Sequence, residues 1–199
     1  MNYEQSINYI HSIPKFRRPL GNANLEKLLT HLDNPQKKLK FIHIAGTNGK
    51  GSTAAMTAEI LKKSGFKTGL FTSPYLEVFN ERIRINGENI TDNDLAEYVT
   101  RVKAIMEKNN ALVSEFAFIT AVSFLYFYEK QCDIVVLEVG MGGKLDATNV
   151  IDSSLVSVLY AKSVLTTRNI SATLSKKSLK KNAVLCVTAA QLFHIRTMM

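Results

Sequence analysis

One short run of residues, Gly46-Thr47-Asn48-Gly49-Lys50-Gly51-Ser52, holds the types that phosphate chemistry needs. Glycines let backbone N–H groups turn toward phosphate oxygens, and a helix starting at such a turn adds partial positive charge. Lys50 supplies a mobile full charge. The spacing departs from the common G-x-x-x-x-G-K-[ST] form, because Gly46 lies only three residues before Gly49 and Gly51 separates Lys50 from Ser52. The alternative is a glycine-rich turn that holds no ligand.

Two more residues have the chemistry of ligands for a hard cation. Ser73 closes an apolar run and precedes Pro74, and Glu138 interrupts Asp133-Ile134-Val135-Val136-Leu137-Glu138-Val139. A hydroxyl and a carboxylate are oxygen ligands suited to Mg²⁺, which neutralises triphosphate charge. Ser73 is equally a turn former before proline. A carboxylate inside an apolar strand is costly unless paired or metal-bound, so Glu138 is either a ligand or half of a structural pair. Gly140-Met141-Gly142-Gly143 follows as a second turn able to approach a ligand closely.

The elements that must carry these residues are legible in the pattern. Phe41–Ala45 is a short β-branched run ending at glycine, consistent with a buried parallel strand, and a helix follows from about Gly51 to Lys63 with Gly65 as its stop. Lys67–Thr72 predicts a second strand, Asp133–Val139 a third and Leu155–Leu159 a fourth. Ile83 and Ile85 alternate before Asn86-Gly87, which predicts a small hairpin. Thr91 with Asp94 starts a helix reaching Lys108, and Ser114 starts another, Glu115–Lys130, apolar on nearly every side. Ile7, Ile10 and Ile13, then Leu25, Leu28, Leu29 and Leu32, give the first 40 residues helical spacing, broken by Pro14 and Arg17–Gly21. Strands alternating with helices predict an α/β fold: a mostly parallel sheet, carrying the phosphate-binding loop and flanked by helices.

The formal net charge of +8 invites a nucleic-acid reading. Its location argues against one. Residues 1–159 hold 18 Lys+Arg and all 17 Asp+Glu, whereas residues 160–199 hold seven Lys+Arg and no acid. Cys132 and Cys186 are distant in sequence and form no metal-binding or disulfide pattern. There is neither a secretory leader nor an apolar run near the roughly 18 residues of a membrane span. These features predict a cytoplasmic monomer with no membrane partner, and make nucleic acid an unexpected one.

Four motifs occur in one order: H-I-A-G-T-N-G-K-G-S, F-T-S-P-Y-L, F-N-E-R-I-R-I-N-G and L-E-V-G-M-G-G-K-L-D-A-T-N-V. Over residues 1–159 the chain resembles the N-terminal part of the folylpolyglutamate synthase/dihydrofolate synthase family, relatives of the Mur ligases. The resemblance implies a Mur-ligase-like central domain and an ATP-dependent ligase that joins glutamate to the γ-carboxylate of folate, or to dihydropteroate, through an acyl phosphate. It implies that Gly46, Thr47, Asn48, Gly49, Lys50, Gly51 and Ser52 hold the phosphates of ATP, with Lys50 catalytic. Ser73 and Glu138 would bind Mg²⁺, and Ser73, Pro74, Tyr75 and Arg82 would approach the folate, with Arg84 nearby. Asp146-Ala147-Thr148-Asn149 would fix the turn after the glycines. The family's T-E-F-E reads Ser114-Glu115-Phe116-Ala117 here, with one acid lost.

The resemblance stops after Leu159. The family's Asp-His and Glu-Lys-Ala-Gly motifs do not occur in residues 160–199. The expected organisation is therefore an incomplete ATP-binding domain, residues 1–159 with a helical lead-in over 1–40, followed by a poorly ordered basic tail. One explanation is translation of that tail out of frame. The other is a short paralogue whose Lys176-Lys177 and Lys180-Lys181 make a basic interaction surface. Either way the resemblance predicts negligible ligase activity for these 199 residues, since the metal and glutamate sites are incomplete. The alternative function is a non-catalytic nucleotide-binding module.

Overall fold

The computed structural model describes residues 1–16, 21–46, 48–141, 145–152, 154–161 and 183–188, the last segment and residues 159–161 by their backbone. Three helices lead in: α1 (Tyr3–Ser12), α2 (Ala23–His31) and α3 (Pro35–Lys38). Asn2 caps α1 by accepting from the Gln5 N–H, while the Gln5 side chain accepts from the Asn2 N–H at 3.0 Å. β1 (Phe41–Gly46), α4 (Lys50–Lys63) and β2 (Thr68–Phe71) follow. A hairpin of β3 (Ile83–Ile85) and β4 (Glu88–Asn89) turns at Asn86 and Gly87, both at positive φ, as a tight hairpin requires. Next come α5 (Asp92–Lys108), α6 (Glu115–Glu129), β5 (Ile134–Glu138), β6 (Val156–Ala161) and β7 (Ala183–Thr188). Thr91 and Ser114 cap α5 and α6 through their side-chain oxygens.

Among the described residues the strands form one sheet in the order β4-β3-β2-β5-β1-β6-β7. β2, β5, β1, β6 and β7 run parallel, and the antiparallel pairings are those of β3, with β2 on one side and β4 on the other. The α/β expectation holds, and the mostly parallel sheet places the ends of β2, β5 and β1 side by side. β7 lies within the acid-free segment; residues 162–182 and 189–199 are outside the described residues, as is the side chain of Cys186. Cys132 is buried and, among the described residues, unpaired.

The period-two pleat sorts each strand between two layers. Phe41, Phe71, Val135 and Leu137 join the large core formed with α1, α2, α5 and α6, and Ile44, Leu70, Val136 and Val158 pack with Ala54 of α4. α6 is almost wholly buried, with Phe118, Phe124 and Phe127 at zero exposure. Burying each such ring contributes about 1.5–3 kcal/mol. Gly69 is what admits Phe127 to the sheet, since a Cβ there would lie 2.8 Å from the ring.

Candidate functional site

At the end of β1 the chain turns through the glycines into α4. Gly49 adopts φ +76°, which favours glycine, and forms the N-cap of α4. Thr53 secures the turn by donating its N–H (2.9 Å) and hydroxyl (2.8 Å) to the Gly49 carbonyl. The first-turn N–H groups of α4 thus have the orientation that binds anions. Lys50 is half-buried, and Asn48 and Gly49 are exposed. Thr47 lies outside the described residues.

β5 is the strand between β1 and β2, and Glu138 closes it. By the alternation of β5, Glu138 belongs with Val136 on the α4 side of the sheet. It sits under the first turn of α4: a Cβ on Gly51 would lie 3.6 and 3.7 Å from its two carboxylate oxygens. Ser73, two residues past β2, donates its N–H to Glu138 Oε2 at 3.0 Å. Glu138 is 3% exposed. Burial raises its pKa, and the Ser73 N–H and the Lys50 charge oppose that rise. The predicted phosphate loop, Lys50, Ser73 and Glu138 therefore meet at the carboxyl ends of three adjacent strands, where parallel sheets place ligands. This donor set fits a divalent cation bound together with a polyphosphate: one buried carboxylate, one hydroxyl and a nearby ammonium. Among the described residues no cluster of three His, Cys, Asp or Glu side chains forms a metal cage. Such a cation would complete its shell with phosphate oxygens and water.

On the other side of Ser73 opens a cavity of about 980 Å³, lined by residues that include Ser73, Pro74, Tyr75, Arg82, Phe116 and Asp146. All four residues expected to approach a folate line it. Arg82 lies across the rings of Tyr75 (5.1 Å) and Phe79 (5.4 Å), and its buried Nε has no partner among the described residues. Burial lowers its pKa, countered by Glu115. Arg84 is engaged elsewhere, donating to the Glu81 carbonyl at 3.0 Å and to Thr72 Oγ1 at 3.4 Å. Glu81 holds the loop after Pro74, its carboxylate accepting the N–H groups of Leu76 (2.8 Å), Glu77 (3.0 Å) and Val78 (3.0 Å).

In the sequence Phe116 stood out only as part of the Ser114–Ala117 motif, beside the acid lost at Ala117, and Asp146 only as a turn former. Phe116 packs on the glycine turn so closely that a Cβ on Gly140 would lie 2.5 Å from its ring. Asp146 is 6% exposed; its Oδ1 accepts from the Thr148 N–H (2.9 Å) and hydroxyl (2.6 Å), and its Oδ2 from the Met141 N–H (2.8 Å). Burial raises its pKa, and these hydrogen bonds oppose the rise. Gly142, Gly143 and Lys144 lie outside the described residues.

No family model matches the chain. It is 44% identical over 164 residues to folylpolyglutamate synthase of Lacticaseibacillus casei, covering 80% of this chain and 38% of that protein. Against dihydrofolate synthase/folylpolyglutamate synthase of Bacillus subtilis it is 38% identical over 161 residues, 78% of this chain and 37% of the relative. A solved folylpolyglutamate synthase complex with AMPPCP and folate superposes with a TM-score of 0.83 at 36% identity, over 99% of this chain and 52% of that one. The bifunctional enzyme of Yersinia pestis, solved with AMPPNP and Mn ion, gives 0.74 at 30% identity, over 80% and 38%. The chain thus spans about half or less of the length of these relatives. Over the matched region, a partial N-terminal one, it belongs to the folylpolyglutamate synthase/dihydrofolate synthase family.

Proposed function

We propose that this chain carries the nucleotide-binding and folate-binding half of an ATP-dependent ligase that adds L-glutamate to the γ-carboxylate of folate or to dihydropteroate. The observation that carries the reading is the placement of Ser73 between the two sites. Its N–H binds Glu138 under the phosphate loop, and its residue lines the 980 Å³ cavity. A carboxylate reaching from that cavity would therefore meet a triphosphate on α4.

The reaction this arrangement serves is transfer of the γ-phosphoryl group from ATP to a substrate carboxylate oxygen, with ADP leaving. The glutamate amine then attacks the acyl phosphate carbon, and phosphate leaves as the amide forms and the nitrogen loses its proton. The backbone of Gly46–Ser52 holds the phosphates, and Lys50 stabilises charge moving onto the bridging oxygen. Glu138 and Ser73 would hold Mg²⁺, which would supply charge neutralisation. In the cavity, Arg82 meets substrate anions while Phe116 and Asp146 offer a flat apolar wall and a hydrogen-bond acceptor to a heteroaromatic ring.

Titration calorimetry of the full chain with AMPPCP and Mg²⁺, and separately with folate, tests the two sites. A glutamylation assay with ATP, Mg²⁺, folate or dihydropteroate and glutamate tests the reaction. Binding of both ligands without product supports the module reading, with glutamate capture and turnover requiring more than these 199 residues. Failure to bind either ligand overturns the reading altogether.

A further inference from the structure

Behind the cavity wall a buried polar chain ends on Asp146, and its other two members, His43 and Thr148, have no part in the proposed reaction. His43, in the middle of β1, is 0% exposed. By the pleat it shares the α6 side of the sheet with Phe41. Its Nε2 lies 2.9 Å from Thr148 Oγ1, and Thr148 Oγ1 lies 2.6 Å from Asp146 Oδ1. Of these three residues only Asp146 lines the cavity.

The directions of the two hydrogen bonds follow from what each atom has left. Thr148 carries a single hydroxyl proton. If it points to Asp146, Thr148 accepts from a His43 Nε2–H, and His43 Nδ1 is left with a bare lone pair. If it points to His43, then His43 Nδ1 carries the proton. That nitrogen has no partner among the described residues, so the second arrangement would bury an unpaired donor. Orphaned buried N–H groups are the rarer and costlier case. The carboxyl of Asp146 meanwhile receives two backbone N–H bonds, from Thr148 and Met141, which match an acceptor.

We propose that His43 is a positioning residue for the substrate cavity: donating from Nε2, it fixes the Thr148 hydroxyl on Asp146 Oδ1 and so keeps Asp146 a hydrogen-bond acceptor on the cavity wall. This rests on folate occupying that cavity. His43 touches no substrate. Its influence runs through one hydroxyl, and it lies three residues before the phosphate loop, so a general loss of order in β1 would impair both sites whereas loss of the relay would impair one.

The test uses the full chain and two ligands. His43→Leu removes the donor and is expected to weaken folate binding about tenfold, as for loss of one hydrogen bond to a charged group, while AMPPCP·Mg²⁺ affinity stays within about twofold. His43→Gln places an amide N–H₂ near the position of Nε2 and restores most of the folate affinity. Thr148→Val behaves as His43→Leu and Thr148→Ser as wild type, which keeps the test open if His43→Leu does not fold. In wild type, imidazole ¹⁵N shifts should show the neutral Nε2–H tautomer. An Nδ1–H tautomer, or equal loss of both ligands in every donor-less variant, overturns the relay. Unchanged folate affinity in His43→Leu overturns it alone, whereas no folate binding to the wild type overturns the cavity reading with it.

Discussion

The Ser73 N–H and Glu138 Oε2 meet at 3.0 Å across the boundary between β2 and β5, and that contact joins the two halves of the site. Glu138 is buried at the cost of desolvation, which raises its pKa. Glu138→Gln relieves that cost while keeping an acceptor for Ser73. We expect the variant to be at least as stable as wild type in urea unfolding without ligands, and to lose most of the Mg²⁺ dependence of nucleotide binding. Unaltered Mg²⁺ dependence would remove Glu138 from the metal site.

Lys50→Ala removes one charge from the first turn of α4 without touching the core. Nucleotide affinity should fall by about 10- to 100-fold, the range for a charge-assisted hydrogen bond, with folate affinity unchanged and the melting temperature slightly lower, since buried Glu138 loses a compensating charge. Calorimetry with AMPPCP and with folate, alongside a thermal scan, reads all three.

A Cβ at Gly140 would sit 2.5 Å from the Phe116 ring. Gly140→Ala should therefore destabilise by about 1–3 kcal/mol, the usual cost of overpacking, and should lower folate affinity by displacing that ring. Pairing it with Phe116→Leu, which vacates the space, should recover stability but not folate binding.

Burial lowers the His43 pKa from 6.5 to about 4. Below 6.5 the unfolded chain takes up a proton that the native state refuses, so this residue's contribution to stability is intact at neutral pH and falls as pH drops from 6.5 toward 4. The full loss is about 3 kcal/mol at about 1.4 kcal/mol per pKa unit. Burial raises the pKa values of Glu138 and Asp146, which act in the opposite sense: their protonation on acidification favours the native state. The measurement is therefore the difference between wild type and His43→Gln in denaturant unfolding at pH 7 and pH 4.5. A difference that does not change with pH would refute the assignment.

Glu81 accepts three consecutive backbone N–H groups of the loop that lines the cavity. These bonds hold its pKa below the usual carboxylate range, led by the Leu76 N–H. Glu81→Ala should speed hydrogen exchange of the Leu76, Glu77 and Val78 amides while leaving α4 protected. Uniform exchange across both segments would mean that the loop is held by other contacts.

The sequence by itself determined the main helices and strands up to Leu159 and the loop, but not α3 or β7. Glycines at Gly46, Gly49 and Gly51 beside Lys50 have a local meaning, because the phosphate-binding role proposed for them needs only the backbone that those residues shape. Caps at Thr91 and Ser114 and the turn at Asn86-Gly87 are likewise local, and each appears where its residues stand. The partners of Glu138 were not legible. Ile134–Glu138 is buried throughout, so its side chains show no polar alternation to tell one face from the other. Only the packing of α4 on that sheet decided that Glu138 faces the phosphate loop. The tertiary fold also decided that Arg82 opens into the cavity while Arg84, two residues on, is tied to Glu81 and Thr72. His43, Thr148 and Asp146 met for the same reason. They are separated by 105 residues at the widest, and neighbours so distant in sequence are set by how the sheet and α6 pack together.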